Sequence, residues 1–353
     1  MTAPLDDDSL ARVSDLPNAP APPLTVASVV DLNEPPPRPV WATIAPTAPW
    51  CPAEWDAVLA RVVPSWATRE SRSAPSGRDV PDAIGVEQRD AAWALVGAAR
   101  RGRLHAHRGE FREDAIDARG FDLGWCGAVG DGAGSAAWSR IGSTVATHTF
   151  CTVAAATIGP AEVRARTASR AVFETLRALA AALEIAPRLL RTTLLAVVCT
   201  ADHIACVQVG DGGIALIRTD GTVMSPQSGD AGEFSGDVTL FLPDDGSDAR
   251  MISSVQSLAA ESIRGVLLAT DGIEDPFYPL HRHAGAVAQM IEHGVDDVLA
   301  SEVAAASSVR VEFRGPVLDA SDRVRALLEW MAFEKRGEND DRALLYARSL
   351  SGR

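Results

Sequence analysis

The sequence predicts an α+β fold, with an antiparallel sandwich favoured over a doubly wound parallel sheet. Strand-like runs follow one another closely between residues 194 and 224, helical stretches lie before and after them, and β–α–β alternations are few. Because a parallel sheet needs a crossover between successive strands, closely spaced strands favour antiparallel pairing. With 353 residues, of which 46% are hydrophobic, the chain is long enough to bury a sizeable core.

The N-terminal quarter differs in composition from the remainder. Residues 1–40 are rich in Pro, Ala and Asp, which predicts a disordered arm. Residues 41–85 are interpreted as an extension followed by a polar linker, and this extension carries Trp41, Trp50, Trp55 and Trp66. These tryptophans either pack against the main domain or form an exposed patch for a partner. We expect the globular body to comprise residues 86–353.

Within this body, the hydrophobic pattern predicts strands and helices in a definite order. The predicted strands are 91–98, 122–129, 194–199, 204–209, 214–218, 223–224, 238–242, 265–269 and 343–347. The predicted helices are 135–156, a second beginning at Pro160, a stretch at 283–306 and another at 319–335. The second helix has an apolar stripe formed by Ala168, Val172, Leu176, Leu179 and Leu183.

Charge and cysteine content exclude some classes of function. The net charge of −14 argues against binding to nucleic acid, which needs a basic surface. The five cysteines show no CxxC spacing, and four of them lie in apolar runs, so we expect buried free thiols. No signal peptide opens the chain and no apolar run is long enough to span a membrane, so a cytoplasmic protein is expected.

Four acidic motifs occur beside predicted strands. They are Glu113-Asp114, Asp131-Gly132, Asp271-Gly272 and Asp340-Asp341. Carboxylates at strand ends are suitable ligands for hard cations such as Mg²⁺ or Mn²⁺, and two such ions can act together on a phosphoryl group. Taken singly, however, each of these motifs is more typical of an ordinary turn than of a metal ligand.

Six motifs share their order with one known family. They are His-x-x-x-Gly at 105–109 with Glu-Asp-Ala at 113–115, Gly-Asp-Gly-Ala-Gly-Ser at 130–135, Val-Gly-Asp-Gly at 209–212, Gly-Glu-Phe at 232–234 with Thr-Leu-Phe-Leu at 239–242, Leu-Ala-Thr-Asp-Gly at 268–272, and Asp-Asp-Arg-Ala-Leu at 340–344. In this respect the body resembles the bacterial protein phosphatase 2C-like, metal-dependent serine/threonine phosphatases.

The resemblance implies an αββα sandwich of two antiparallel sheets flanked by helices, with two Mn²⁺ or Mg²⁺ ions in a cleft. By this resemblance, Asp131 bridges the two ions and the carbonyl of Gly132 binds one of them. Asp271 and Asp340 bind the other ion. Asp211 corresponds to a position that, with Asp271, holds a third ion in some members.

The resemblance also implies a reaction. Glu113 would hold metal-bound waters, with Asp114 beside it, and a metal-bridged water would attack phosphorus directly without a phosphoenzyme. The implied substrates are phosphoserine and phosphothreonine in proteins, with a Ser/Thr kinase as the counterpart. Two alternatives remain open at this point: a weakly catalytic scaffold that binds partners through the Trp-containing extension, and a phosphatase of a small molecule.

Two functional positions of the family differ in this chain. Ala133 stands where some relatives have a histidine that is a proposed general acid, so His105 or His107 is a candidate substitute. Gly109 stands where the family has an arginine that grips phosphate, and Arg108 is the neighbouring candidate.

Overall fold

The computed structural model describes residues 26–31, 83–89, 92–108, 112–122, 124–226, 240–293, 324, 327–328, 330–333 and 338–350. The strands are β1 Val26–Asp31, β2 Ala83–Arg89, β3 Trp93–Arg100, β4 Ala115–Phe121, β5 Gly124–Gly130, β6 Leu194–Thr200, β7 His203–Val209, β8 Gly213–Arg218, β9 Val223–Met224, β10 Gln256–Ala259, β11 Ile263–Ala269 and β12 Arg342–Ser349. The helices are α1 Arg103–Arg108, α2 Ser139–Ala156, α3 Ala161–Ala182, α4 Ser247–Ser253, α5 Asp271–Glu274 and α6 Leu280–His293.

The strands form two sheets. The seven-stranded sheet has the order β1-β2-β3-β12-β11-β8-β9, and the five-stranded sheet has the order β10-β7-β6-β5-β4. All pairs are antiparallel except β1 with β2, which is parallel. The chain passes from the five-stranded to the seven-stranded sheet between β7 and β8.

Helices cover the outer face of each sheet. Helices α2 and α3 share one apolar cluster with the five-stranded sheet, in which Phe150, Val172 and Leu176 are fully buried. Helix α6 and the apolar residues around Leu328 share a second cluster with the seven-stranded sheet. The molecule is therefore a four-layer αββα sandwich, which confirms the predicted fold class.

A third apolar cluster lies between the two sheets. It includes Trp125 and Leu195 from one sheet and Leu268 and Leu345 from the other, all of them at most 1% exposed. The sheets approach closely at Gly127, where an added Cβ would lie 2.2 Å from Cδ2 of Leu345. A side chain at position 127 would therefore displace the end of Leu345 or push the sheets apart.

Most predicted elements agree with the observed ones within a few residues, but two expectations are wrong. Val26–Asp31 lies in the predicted disordered arm yet forms β1, because this short run of β-branched residues pairs with β2. Of the strand predicted at 238–242, the described residues show a single bridge from Leu242 to Thr192, followed by Pro243, which has no N–H to donate.

Three further expectations concern the tryptophans and the Gly-Glu-Phe motif, the burial of the cysteines, and membrane-spanning helices. The four tryptophans of the extension and the Gly-Glu-Phe motif at 232–234 lie outside the described residues. The cysteines predicted to be buried thiols, which are Cys126, Cys151, Cys199 and Cys206, are buried and free. No helix among the residues described is both long enough and apolar enough to cross a membrane.

Candidate active site

Carboxyl groups from both sheets meet at one end of the sandwich. On the five-stranded side, Asp131 follows β5 and Asp114 precedes β4. On the seven-stranded side, Asp271 follows β11 and Asp340 lies just before β12. Because β4 and β5 are antiparallel, the residues that flank Ala115 and Gly130 lie side by side, and the same holds for β11 and β12.

The charges of these groups act on one another's pKa values. Burial raises the pKa of Asp131 well above its usual value, and the charges of Asp114, Asp340 and Asp211 raise it further. Burial likewise raises the pKa of Asp271, with added repulsion from Asp131, Asp340 and Asp211. Five carboxyl groups thus repel one another when they are ionised, and divalent cations would stabilise their ionised forms.

Asp131 is anchored through its backbone. Its carbonyl accepts hydrogen bonds from Thr193 N–H and from Thr192 Oγ1, both at 2.8 Å, and its N–H donates to Thr193 Oγ1 at 2.9 Å. Gly132 continues this pairing through a bridge to Thr192. The start of β6 therefore fixes the backbone at both residues that sequence predicts as metal ligands.

Asp114 links the two sheets. Thr270 Oγ1 donates to Asp114 Oδ2 at 2.6 Å, and the same hydroxyl accepts the N–H of Ala343 at 2.8 Å. Burial raises the pKa of Asp114 well above its usual value, and the charges of Asp341 and Asp271 raise it further. Thr270 was not singled out in the sequence, although it directly precedes Asp271.

The adjacent Asp340 and Asp341 have different surroundings. Asp340 is exposed, whereas Asp341 is only 1% exposed. The carboxylate of Asp341 accepts the N–H of Gly102 at 2.6 Å and that of Glu113 at 2.5 Å. Asp341 thus holds the backbone around the site together, while Asp340 is the member of the pair that solvent and ligands can reach.

His105 lies in the same group, whereas His107 does not. Nδ1 of His105 is 2.9 Å from Oδ2 of Asp341, and Nε2 is 3.9 Å from Oε2 of Glu113. Burial lowers the pKa of His105, but the hydrogen bond and charge of Asp341, with Glu113 and Asp340 beyond, outweigh it and raise the pKa to about 9. His107 is exposed on α1.

The structure does not test whether Arg108 replaces the phosphate-binding arginine that the family has at position 109. Arg108 is the last residue of α1, and its side chain, like the whole of Gly109, lies outside what the structure describes. Arg140, near the start of α2, was missed by sequence reasoning and is 7% exposed. Burial lowers its pKa while the charge of Glu113 opposes this shift, so Arg140 is a buried cation beside Glu113.

The donor chemistry fits a hard divalent cation, because the site combines carboxylates with the Gly132 carbonyl and holds no thiolate. As they stand, no three His, Cys, Asp or Glu side chains in the described ranges are gathered as ligands of one ion. The metal ligands expected from the sequence, Asp131, Gly132, Asp271, Asp340, Glu113 and Asp211, therefore stay a prediction.

Several solved structures are similar to this chain. The catalytic domain of the serine threonine protein phosphatase PstP in complex with two manganese ions is 17% identical, with a TM-score of 0.46, and the match covers 74% of this chain and 99% of that one. The phosphatase Stp1 from Staphylococcus aureus is 13% identical, with a TM-score of 0.45 and coverage of 79% and 98%. RsbX in complex with magnesium is 12% identical, with a TM-score of 0.41 and coverage of 74% and 98%.

Sequence comparison gives two further findings. No curated protein sequence matches the chain. The family described as Protein phosphatase 2C matches residues 101–306, which is 206 of the 353 residues and more than half of the chain. This match includes β4, β5, α1 and the Asp131 and Asp271 motifs, so the chain belongs to the protein phosphatase 2C family.

Proposed function

We propose that the chain is a Mn²⁺- or Mg²⁺-dependent phosphatase that hydrolyses phosphoserine and phosphothreonine in proteins. The observation that carries this proposal is the convergence of Asp114 and Asp131 from one sheet with Asp271 and Asp340 from the other. Membership of the protein phosphatase 2C family supports the same reaction class.

In this proposal Asp131, the Gly132 carbonyl, Asp271 and Asp340 would hold two ions, with Asp131 serving both. Asp211 would serve a third ion. When bound, such ions supply Lewis-acid chemistry, in which they lower the pKa of water, turn it toward phosphorus and neutralise phosphate charge.

The remaining groups position water and move protons. Glu113 is placed to orient water, with its N–H held by Asp341. His105 is the candidate that donates a proton to the departing serine or threonine oxygen. Nδ1 of His105 faces Asp341 and Nε2 lies 3.9 Å from Oε2 of Glu113, and this burial among the carboxyl groups favours His105 over the exposed His107.

The family and the exposure of part of the site support a protein substrate. Asp340 and Asp211 are at least partly accessible to solvent, so a phosphorylated side chain on a protein surface could approach them. A Ser/Thr kinase would then be the enzyme that supplies the substrate. The contribution of Arg108 to phosphate binding stays a prediction.

Hydrolysis of p-nitrophenyl phosphate tests the proposal. We expect turnover with Mn²⁺, none with EDTA, and at least a hundredfold loss in Asp131→Ala, since it would remove a ligand shared by two ions. Asp220→Ala is the matched control, because Asp220 also precedes glycine but lies in the β8–β9 turn, where it accepts the N–H of Thr222 at 2.8 Å.

Four results would contradict parts of the proposal. Metal-independent turnover, or full activity in Asp131→Ala, would exclude the reaction described here. Absence of turnover would favour the scaffold. Activity on a panel of phosphorylated metabolites without activity on phosphopeptides would favour a small-molecule phosphatase.

A further inference from the structure

The turn formed by residues 210–212 connects the two sheets beside the candidate site. Gly210 and Gly212 have φ values of +89° and +90°, so both lie in a region that residues with a side chain rarely adopt. Asp211 stands between them, and its charge raises the pKa of both Asp131 and Asp271.

This turn is packed between the two halves of the site. On one side, a Cβ on Gly210 would lie 2.5 Å from Cγ2 of Thr193, whose hydroxyl accepts the N–H of Asp131. On the other side, a Cβ on Gly212 would lie 2.6 Å from the carbonyl oxygen of Ala269, two residues before Asp271. The turn therefore contacts both the segment that anchors Asp131 and the strand that leads to Asp271.

A buried amide holds the turn closed. Gln208, in β7, is 3% exposed. Its Nε2 donates to the carbonyl of Gly210 at 3.3 Å and to that of Gly212 at 3.1 Å. Its Oε1 has no hydrogen-bond partner among the described residues. The side chain therefore contributes to the turn through its N–H donors.

We propose that Gln208 is a positioning residue that fixes Asp211 relative to Asp131 and Asp271 and thereby sets the affinity of the site for divalent cations. This inference deepens the proposed function and rests on it for the identity of the ligand. Two glycines would otherwise leave the turn free to change conformation, and both bonds end on the residues that flank Asp211. Since burial strengthens hydrogen bonds, a pair shared by one amide is well suited to this task.

Gln208→Met tests the proposal, because methionine has similar length and volume but no donor. The variant leaves the carbonyls of Gly210 and Gly212 without this donor and also removes the unpartnered Oε1, so the two effects on folding stability oppose each other. The control is Ser254→Ala, since Ser254 Oγ accepts the backbone N–H of the same Gln208 at 3.2 Å and leaves its side-chain amide in place.

Three measurements on the full chain separate the possible roles. Titration calorimetry with Mn²⁺ should show roughly tenfold weaker binding in Gln208→Met, which corresponds to about 1.4 kcal/mol, and no change in Ser254→Ala. Hydrogen exchange of the 210–213 amides should be faster in Gln208→Met only. The third measurement is kcat. It should fall in Gln208→Met at limiting Mn²⁺, and saturating Mn²⁺ should restore part of it.

Unchanged Mn²⁺ affinity together with unchanged exchange at 210–213 would overturn the positioning role. Should Gln208→Met fail to fold, Gln208→Glu, which also replaces the donor group, is subjected to the same tests. Failure of the phosphatase proposal can be distinguished from failure of the Gln208 proposal. If the chain binds Mn²⁺ in a Gln208-dependent way but hydrolyses no phosphate ester, the phosphatase is contradicted and the role of Gln208 is retained. Wild-type protein that binds no Mn²⁺ would contradict both.

Discussion

Nδ1 of His105 lies 2.9 Å from Oδ2 of Asp341, and that oxygen also accepts the N–H of Glu113 at 2.5 Å. One carboxylate, which belongs to the segment before β12, thus holds both α1 and the segment before β4. Asp341 is buried and Asp340, its neighbour, is exposed. The two aspartates should therefore respond differently to the same substitution.

We expect Asp341→Asn to lower the free energy of unfolding by about 2–3 kcal/mol, because the amide nitrogen would face groups that donate hydrogen bonds. Asp340→Asn should change it by less than about 0.5 kcal/mol, as is usual for an exposed position, yet abolish Mn²⁺-dependent turnover. Urea denaturation and p-nitrophenyl phosphate assays measure the two effects. Equal loss of stability in both variants would contradict the division of roles.

Glu274 should make stability depend on pH. Burial raises its pKa from 4.5 to about 7, opposed by the N–H of Leu280 and reinforced by Asp275 and Asp211. Since the folded-state pKa exceeds the unfolded one, its stabilising contribution is complete below pH 4.5 and is lost as the pH rises through 7.

Glu274→Gln, which keeps an acceptor for Leu280, should therefore be more stable than wild type at pH 8 by about 1–2 kcal/mol, allowing for partial exposure. At pH 4 the two proteins should be equally stable. The measurement is the melting temperature in EDTA across this range, and a difference that does not vary with pH would contradict the prediction.

Close approach at Gly272 predicts a second stability difference. A Cβ there would lie 1.9 Å from the carbonyl oxygen of Asp341, whereas nothing lies within 4 Å of a Cβ on Gly285 in α6. Gly272→Ala should lower the unfolding free energy by at least about 2 kcal/mol through overpacking. Gly285→Ala should raise it by about 0.5–1 kcal/mol through helix propensity, and thermal denaturation of both variants compares them directly.

Arg140 and Glu113 should be coupled, because both are buried and the charge of Glu113 opposes the fall in the pKa of Arg140 that burial causes. We expect Arg140→Met to cost about 2–3 kcal/mol, since it leaves the Glu113 carboxylate buried with less compensation. In the double variant with Glu113→Gln, the loss of unfolding free energy should be smaller than the sum of the two single losses by about 1 kcal/mol. Additive losses in urea denaturation would show that the two side chains act independently.

Local patterns allowed much of the fold to be predicted. Strands β6, β7, β8 and β11 are apolar runs bounded by turn residues, and the helix after Pro160 has a regular apolar stripe. These signals depend on residues near one another in the chain. The family resemblance is confirmed by the match over residues 101–306.

Parts of the site were hidden because they depend on contacts between distant residues. Gln208 looks like an ordinary strand residue until its amide meets Gly210 and Gly212. The sequence Asp340-Asp341 does not reveal which carboxyl is buried, because that depends on Gly102 and Glu113, more than 200 residues away. Arg140 is recognisable only once α2 places it beside Glu113.

The contact between Gly127 and Leu345 has a consequence at the open end of the sandwich. The carboxyl groups belong to two sheets, and their separation follows the thickness of the apolar layer between those sheets. Larger or smaller side chains deep in this layer would widen or narrow the space available to ions without altering any group that touches them. Repacking the interior between the sheets should therefore change the spacing of these carboxyl groups without touching them.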